Sequence, residues 1–310
     1  MKAGIVGIGA VGAATAMAIM LRASVRELVL VNRNRARAKG VASDMRYGAP
    51  LASPVRITDG DYADLAGAGV VIIAAGVNER AGGATDRHDP RGRLRLLEPN
   101  AKVFADIVPR IVKAAPHAVL LVATDPPEPL TDIARRLAGH GRVFGTGTTL
   151  DSLRFRVHLA QRLNVSPASV DAYVVGEHGT SSVFLWSTAH IGGTSVETIL
   201  AQRRVGFDEF RRAVEHDVRY ANISIIEGIG ASQYGIGMVA ARMAEVVLGD
   251  EQAVFAVGSY QARYGVALSL PAVLGRDGVG EILWPEMSDE EARALEHSAE
   301  TLKRVLADYL

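Results

Sequence analysis

Short apolar runs alternate with longer amphipathic stretches through the first half of the chain. Residues 2–6 predict a buried strand, and the small residues over 10–21 predict a helix that begins at once after it. Strands over 28–31, near 55–58 and over 70–75 follow, with a helix over 36–45 between the first two. A helix over 94–115 and strands at 118–124 and 143–145 complete the series. Such alternation argues for an α/β fold in which a doubly wound parallel sheet carries helices on both faces. Past Gly147 the pattern changes. A helix over 149–163, a break at Ser166 and Pro167 and a strand near 170–175 lead into long helical stretches. The run 207–248 carries Gly228, Gly230, Gly235 and Gly237, which predicts two helices or one bent helix. Strands around 253–270 suggest an antiparallel piece, and Ser288 with Glu291 has the spacing of a capping box for a last helix. The expected organisation is a dinucleotide-binding domain over 1–147 and an α/β substrate domain over 148–310.

Composition narrows the chemistry. A chain of 310 residues can bury a core without staples. Its 34 basic side chains balance 34 acidic ones, which argues against a polyanion, so no nucleic-acid partner is expected. Cysteine is absent, which removes disulfides, thiolate metal sites and cysteine nucleophiles together. No apolar run reaches the length of a membrane span. The chain reads as cytoplasmic, with no membrane partner and no metal site.

Gly7-Ile8-Gly9-Ala10-Val11-Gly12 is a G-x-G-x-x-G between the first strand and the first helix. The first glycine permits the turn, the second lets the backbone approach a pyrophosphate, and the third lets helix and strand pack closely. The helix N-terminus then faces the phosphates. Without the flanking strand and helix the same pattern would be only a glycine-rich turn. Gly76 and Val77, after the 70–75 strand, join the candidate cofactor residues. An acid that holds the adenosine ribose is expected about 20 residues beyond the glycines, but the second strand ends in Asn32-Arg33-Asn34-Arg35. Asn32 lacks the charge that would repel a 2′-phosphate, and Arg33 and Arg35 would attract one. NADP is therefore a candidate beside NAD. The alternative is that Asn32 bonds the ribose while the arginines are ordinary surface charges.

Gly176-Glu177-His178-Gly179 ends the strand near 170–175, and Leu150-Asp151-Ser152-Leu153-Arg154 opens the helix before it. Reducing a ketone needs a proton donor for the nascent alkoxide, a task suited to His178. Asp151 would fix the imidazole tautomer, and Arg154 would grip a carboxylate through two parallel bonds. Taken singly, Asp151 is equally a helix N-terminal charge and Arg154 an ordinary salt-bridge partner.

Across its whole length the chain resembles the L-lactate/malate dehydrogenase family. The likeness runs from the Gly7 loop through Gly145-Thr146-Gly147 and the Leu-Asp-x-x-Arg motif to Gly-Glu-His-Gly, the last closer to the lactate branch. The resemblance implies a Rossmann domain plus a substrate domain, assembled as a homodimer or homotetramer. It implies hydride transfer between NAD or NADP and a small 2-oxo/2-hydroxy acid, with His178 as acid/base, Asp151 as its partner and Arg154 as carboxylate anchor. It registers Arg93, ahead of the helix start 94–100, with a lid arginine that polarises the carbonyl. Ser232 matches a residue beside the substrate's side chain.

Three departures from the family pattern stand out. Where the family has Asn-Pro-Val-Asp, this chain has Asp125-Pro126-Pro127-Glu128. An ionised Asp125 cannot donate to the substrate oxygen, and losing one such donor costs about 3 kcal/mol in a transition state. Asp125 is either protonated or paired with a lid arginine. The lid over 79–92 is longer than usual, glycine-rich and charged. The side-chain selector near its start falls on Glu79 or Arg80. Arginine would suit a dicarboxylate and glutamate would repel one, so lactate-like and malate-like readings stay open. The other reading of the lid is a surface insertion with no substrate role. Finally, a histidine that the resemblance places in sugar-phosphate-activated enzymes is Asp171 here, although Arg156 is kept, so no activation by fructose 1,6-bisphosphate is expected. The rival class is a nucleotide-binding sensor that has lost turnover. A related metal-dependent glycosidase is remote.

Overall fold

The computed structural model describes residues 1–52, 54–86, 89 and 92–309. Arg87, His88, Pro90 and Arg91 of the expected lid lie outside the described residues.

The N-terminal half contains β1 (Lys2–Val6), α1 (Ala10–Arg22), β2 (Glu27–Val31), α2 (Arg35–Gly48), β3 (Arg56–Gly60), β4 (Val70–Ile73), α3 (Leu97–Ala114), β5 (Val119–Val122), α4 (Pro127–Ala138) and β6 (Val143–Gly145). The strands pair in parallel in the order β6-β5-β4-β1-β2-β3. Side chains on a strand alternate between faces, and the core divides accordingly. Val70, Ile72, Val119 and Leu121 pack on one side with α1 and α2, whereas Val71, Ile73, Leu120 and Val122 pack on the other with Phe104 of α3 and Leu130 of α4. Continuous apolar runs, rather than alternating ones, are what a sheet covered on both faces requires.

The C-terminal half continues with α5 (Thr149–Leu163), β7 (Val170–Asp171), β8 (Val174–Val175), β9 (Val183–Phe184), β10 (His190–Ile191), β11 (Thr194–Ser195), α6 (Val196–Gln202), α7 (Phe207–Ile229), α8 (Tyr234–Gly249), β12 (Ala253–Gln261), β13 (Val266–Gly275), β14 (Gly278–Ile282) and α9 (Asp289–Leu306). The 207–248 run is thus two helices, broken where Gly230 closes α7 in the left-handed conformation. The anticipated strand over 170–175 is two short strands, β7 and β8, which belong to different small sheets. Ser288 and Glu291 form the expected capping box of α9.

The halves interleave. β12, β13 and β14 extend the parallel sheet in antiparallel fashion, giving nine strands among the described residues, with Gly258 of β12 paired to Gly145 of β6. α8 covers the same sheet face as α1 through Val239, Met243 and Val247. At the junction Gly147 has φ +54°, and a Cβ there would stand 2.5 Å from the Gly258 backbone nitrogen. This close approach fixes the start of α5 against the extended sheet.

Candidate active site

The chain leaves β1 through Gly7, which has φ +100°. A Cβ on Gly7 would lie 2.4 Å from the Ala75 nitrogen, and one on Gly12 would lie 2.0 Å from the Gly7 carbonyl oxygen. Turn, helix and strand end are therefore in contact through backbone alone. A Cβ on Gly9 would meet nothing within 4 Å. α1 has no side-chain N-cap and no acid in its first turn. Its first N–H groups and the positive end of its dipole are consequently available to an anion. This cradle fits the pyrophosphate of a dinucleotide.

Asn32, at the end of β2, accepts from the Ile8 N–H at 3.0 Å and donates to the Asn34 carbonyl at 3.1 Å, so its amide ties the ribose-reading position to the glycine turn. Arg35 lies 3.4 Å from Asp59. Arg33 is exposed. Val77 donates its N–H to Asn100 Oδ1 at 2.6 Å, and Asn100 Nδ2 donates to the Asp125 carbonyl at 2.7 Å. A buried amide on α3 thus joins the ends of β4 and β5.

His178 is buried and reaches the cleft by a short chain of supports. Gly176 exchanges two backbone hydrogen bonds with Ser269 of β13, at 2.9 and 3.0 Å. The His178 N–H then donates to Glu128 Oε2 at 3.0 Å, and Ser269 Oγ donates to Glu128 Oε1 at 2.6 Å. Burial pushes the Glu128 carboxyl up to about 7, against the pull of His178 and of these hydrogen bonds.

The imidazole Nδ1 hydrogen-bonds Asp151 Oδ2, on the first turn of α5. One turn along, Arg154 donates to Asp151 Oδ1 at 3.2 Å and reaches Ser232 Oγ at 3.4 Å. Burial pushes Asp151 up, but the charge and hydrogen bond of His178, with Arg154 and Arg93, outweigh it and hold Asp151 at about 2. On the other side of the ring, Nε2 is 3.8 Å from Asp125 Oδ1, whose second oxygen is 3.4 Å from Arg93 Nε. Burial would lower the Arg93 guanidinium, yet Asp125, Asp151 and Glu79 more than reverse this. Glu79 lies beside Asp125. Burial, then the neighbouring Asp125, raise the Glu79 carboxyl above the usual range.

A single cavity of about 150 Å³ joins these parts, lined by Gly9, Ala10 and Val11 at one end and by Arg93, Asp125, Arg154 and His178 at the other, with Gly76, Val77, Glu79 and Ser232 along it. Of the two candidate selectors, Glu79 lines it. Arg80 is exposed, with its guanidinium near Gly230. Among the described residues, no group of His, Asp or Glu side chains is arranged to hold a metal ion, and no helix is long and apolar enough to cross a membrane. Of three residues that motif reading left without a role, Asn222 lines the cavity, while Glu128 and Asn100 hydrogen-bond residues that do. Each is buried. The available signal was a polar residue within an apolar run, as at Asn222 in the buried stripe of α7.

The two halves match the two models of one family, the NAD binding domain of lactate/malate dehydrogenase over residues 1–145 and its alpha/beta C-terminal domain over 148–310. The chain belongs to the lactate/malate dehydrogenase family. It is 48% identical over 310 residues to an L-lactate dehydrogenase of Thermus aquaticus, covering 98% of this chain and 97% of that one. It is 44% identical to an L-lactate dehydrogenase of Deinococcus radiodurans, with 98% and 97% covered. A solved lactate dehydrogenase from a Medee basin deep-sea metagenome library superposes with a TM-score of 0.90 at 31% identity, covering 99% of this chain and 98% of that one. The chain is an NAD-binding oxidoreductase of the 2-hydroxyacid dehydrogenase type.

Proposed function

We propose that the cleft interconverts a small 2-oxo acid and its L-2-hydroxy acid, with pyruvate and lactate as the leading pair. The observation that carries this reading is a buried imidazole, bonded to an aspartate beside a guanidinium, in the same cavity as the uncapped start of α1. The chemistry supplied by a bound nicotinamide is hydride transfer to or from C2 of the substrate. Arg154, steadied by Asp151 and near Ser232, takes the substrate carboxylate. His178 gives its Nε2 proton to the nascent alkoxide during reduction and recovers it during oxidation, and Asp151 keeps Nδ1 protonated and the ring aligned. Arg93 polarises the carbonyl. Asp125 pairs with Arg93 and forgoes donation, a reading supported by the 3.4 Å approach of its carboxylate to Arg93 Nε. Glu79 disfavours a second carboxylate on the substrate, which supports the lactate-like reading over the malate-like one.

Three finer points belong to the same proposal. NAD is the ordinary cofactor, and Arg33, with no ion-pair partner among the described residues, leaves room for NADP; Arg35 is occupied by Asp59. The chain assembles as a homodimer or homotetramer. Met17 and Leu21 on α1, Leu153 and Val157 on α5, and Met238 on α8 are exposed on helices that pack together, an apolar face of the kind self-association covers. The cytoplasm, with its nicotinamide pool, is the expected location.

The test follows NADH and NADPH absorbance with pyruvate, oxaloacetate, phenylpyruvate and branched 2-oxo acids. Turnover of pyruvate is expected, and no turnover on any of them overturns the reading. A preference for NADH of about a hundredfold or more in kcat/KM discards the 2′-phosphate idea. Sedimentation of the purified protein as a monomer discards the assembly.

A further inference from the structure

If Arg154 holds the substrate carboxylate and His178 and Arg93 serve the carbonyl, Glu79 and Asn222 are among the polar side chains of the same cavity still without a part. Asn222 is 4% exposed and lies in a buried stripe of α7 otherwise made of Val214, Val218, Ile223 and Ile226. It also lines a second cavity of about 110 Å³ that shares Arg93 and Asn222 with the first and extends to Thr180, Arg219 and Ile223. Its carboxamide has no hydrogen-bond partner among the described residues. Its polar atoms are open to the cavity rather than sealed in the core, and the group that pairs such an amide in a substrate cavity is most simply the substrate's own.

We propose that Asn222, with Glu79, reads the substituent at C3 of the substrate and favours an uncharged hydrogen-bonding group, a hydroxyl, over an alkyl group or a second carboxylate. The inference deepens the dehydrogenase reading above and rests on it. A carboxamide offers donors and an acceptor, and a hydroxyl can accept from its N–H while giving its own proton to a carboxylate. An alkyl group of the same size leaves the amide unpaired. A second carboxylate would meet Glu79 and Asp125, which line the cavity side by side. Among the described residues, the cations lining that cavity besides His178 are Arg93 and Arg154, both already engaged by Asp125 and Asp151. A site built to bond a hydroxyl discriminates far more strongly against its absence than an apolar pocket does against an extra methylene.

The experiment compares kcat/KM, with NADH, for 3-hydroxy-2-oxopropanoate and 2-oxobutanoate, which differ only in carrying a hydroxyl or a methyl at the end, with oxaloacetate and pyruvate alongside. The two carbonyls differ in intrinsic reactivity, so the decisive quantity is how the ratio changes on Asn222→Ala and on Asn222→Leu, the latter keeping the volume should the former fail to fold. A fall in the hydroxyl-to-alkyl ratio of at least about tenfold is expected in either variant. An unchanged ratio overturns the proposal, as does oxaloacetate being the best substrate of the wild type. Wild-type protein that turns over none of the four overturns the dehydrogenase reading itself, an outcome distinct from an active enzyme with an indifferent Asn222.

Discussion

At one end of the cleft, Gly7, Gly9 and Gly12 contribute no side chains, and what faces a ligand is the backbone at the start of α1. At the other end, Arg93, Asp125, Asp151, Arg154 and His178 are held within hydrogen-bond or ion-pair reach of one another in largely buried surroundings. At Gly7 and Gly12 the first region tolerates no added atom, because their neighbours are main chain that cannot move aside. In the second, taking a charge away leaves its partners desolvated and unpaired, except at Asp125, where an amide can put a donor to the substrate oxygen in place of the ion pair. Selectivity by shape and selectivity by charge balance are thus divided between the two ends, and the cavity between them is where substrate meets cofactor.

The largest expected effect lies at the charged end. Replacing His178 by Asn should lower kcat by about a thousandfold, measured by NADH absorbance at saturating pyruvate; a loss of less than tenfold would remove His178 as proton carrier.

Next comes Glu128. Its carboxyl sits at about 7 rather than the ordinary 4.5, so between those values the folded protein keeps a proton that the unfolded chain releases. Stability linked to this group is therefore lost as pH rises from 4.5 to 7 and is level above. Relative to Glu128→Gln, the wild type should lose on the order of 3 kcal/mol across that window in urea titrations, and a pH-independent difference would contradict the buried acid.

At the glycine end, Gly12→Ala would drive a methyl into the Gly7 carbonyl. Affinity for NADH should fall by about a hundredfold or more, as read by fluorescence titration. Unaltered affinity would mean that the turn is looser than its contacts imply.

Asp125→Asn is a smaller effect of opposite sign. An amide there can donate to the substrate oxygen, so kcat on pyruvate should rise by about tenfold. A fall would make the pairing of Asp125 with Arg93 indispensable. Least of all, fructose 1,6-bisphosphate should leave KM for pyruvate unchanged, because Arg156, which would bind it, donates to Asp171 at 3.2 Å. A clear drop in KM would reverse this.

The glycine turn was fully legible in the chain because its three glycines, the strand before and the helix after are contiguous, and local sterics decide them. That Asp151 and Arg154 share one helix face follows from their spacing of three residues, but their ion pair came from the structure, the sequence having pointed Asp151 only to His178. His178 was recognisable by its motif, but its supports were not. Glu128 lies 50 residues away and Ser269 lies 91 away on β13, and no local rule joins them. Spacing in a lengthened loop does not separate Glu79 from Arg80; in the fold Glu79 lines the cavity and Arg80 is exposed.

What the sequence alone determined is everything set by neighbours along the chain: the sheet with two covered faces, the nucleotide turn, and the caps of the helices. What only the tertiary structure decided is which charges are buried together and which polar group is left unpaired. Those depend on how β12 and β13 join the parallel sheet and where α7 lays Asn222. Such contacts are short in space between residues far apart in sequence, and electrostatic energies rise steeply only once water has been excluded from between them.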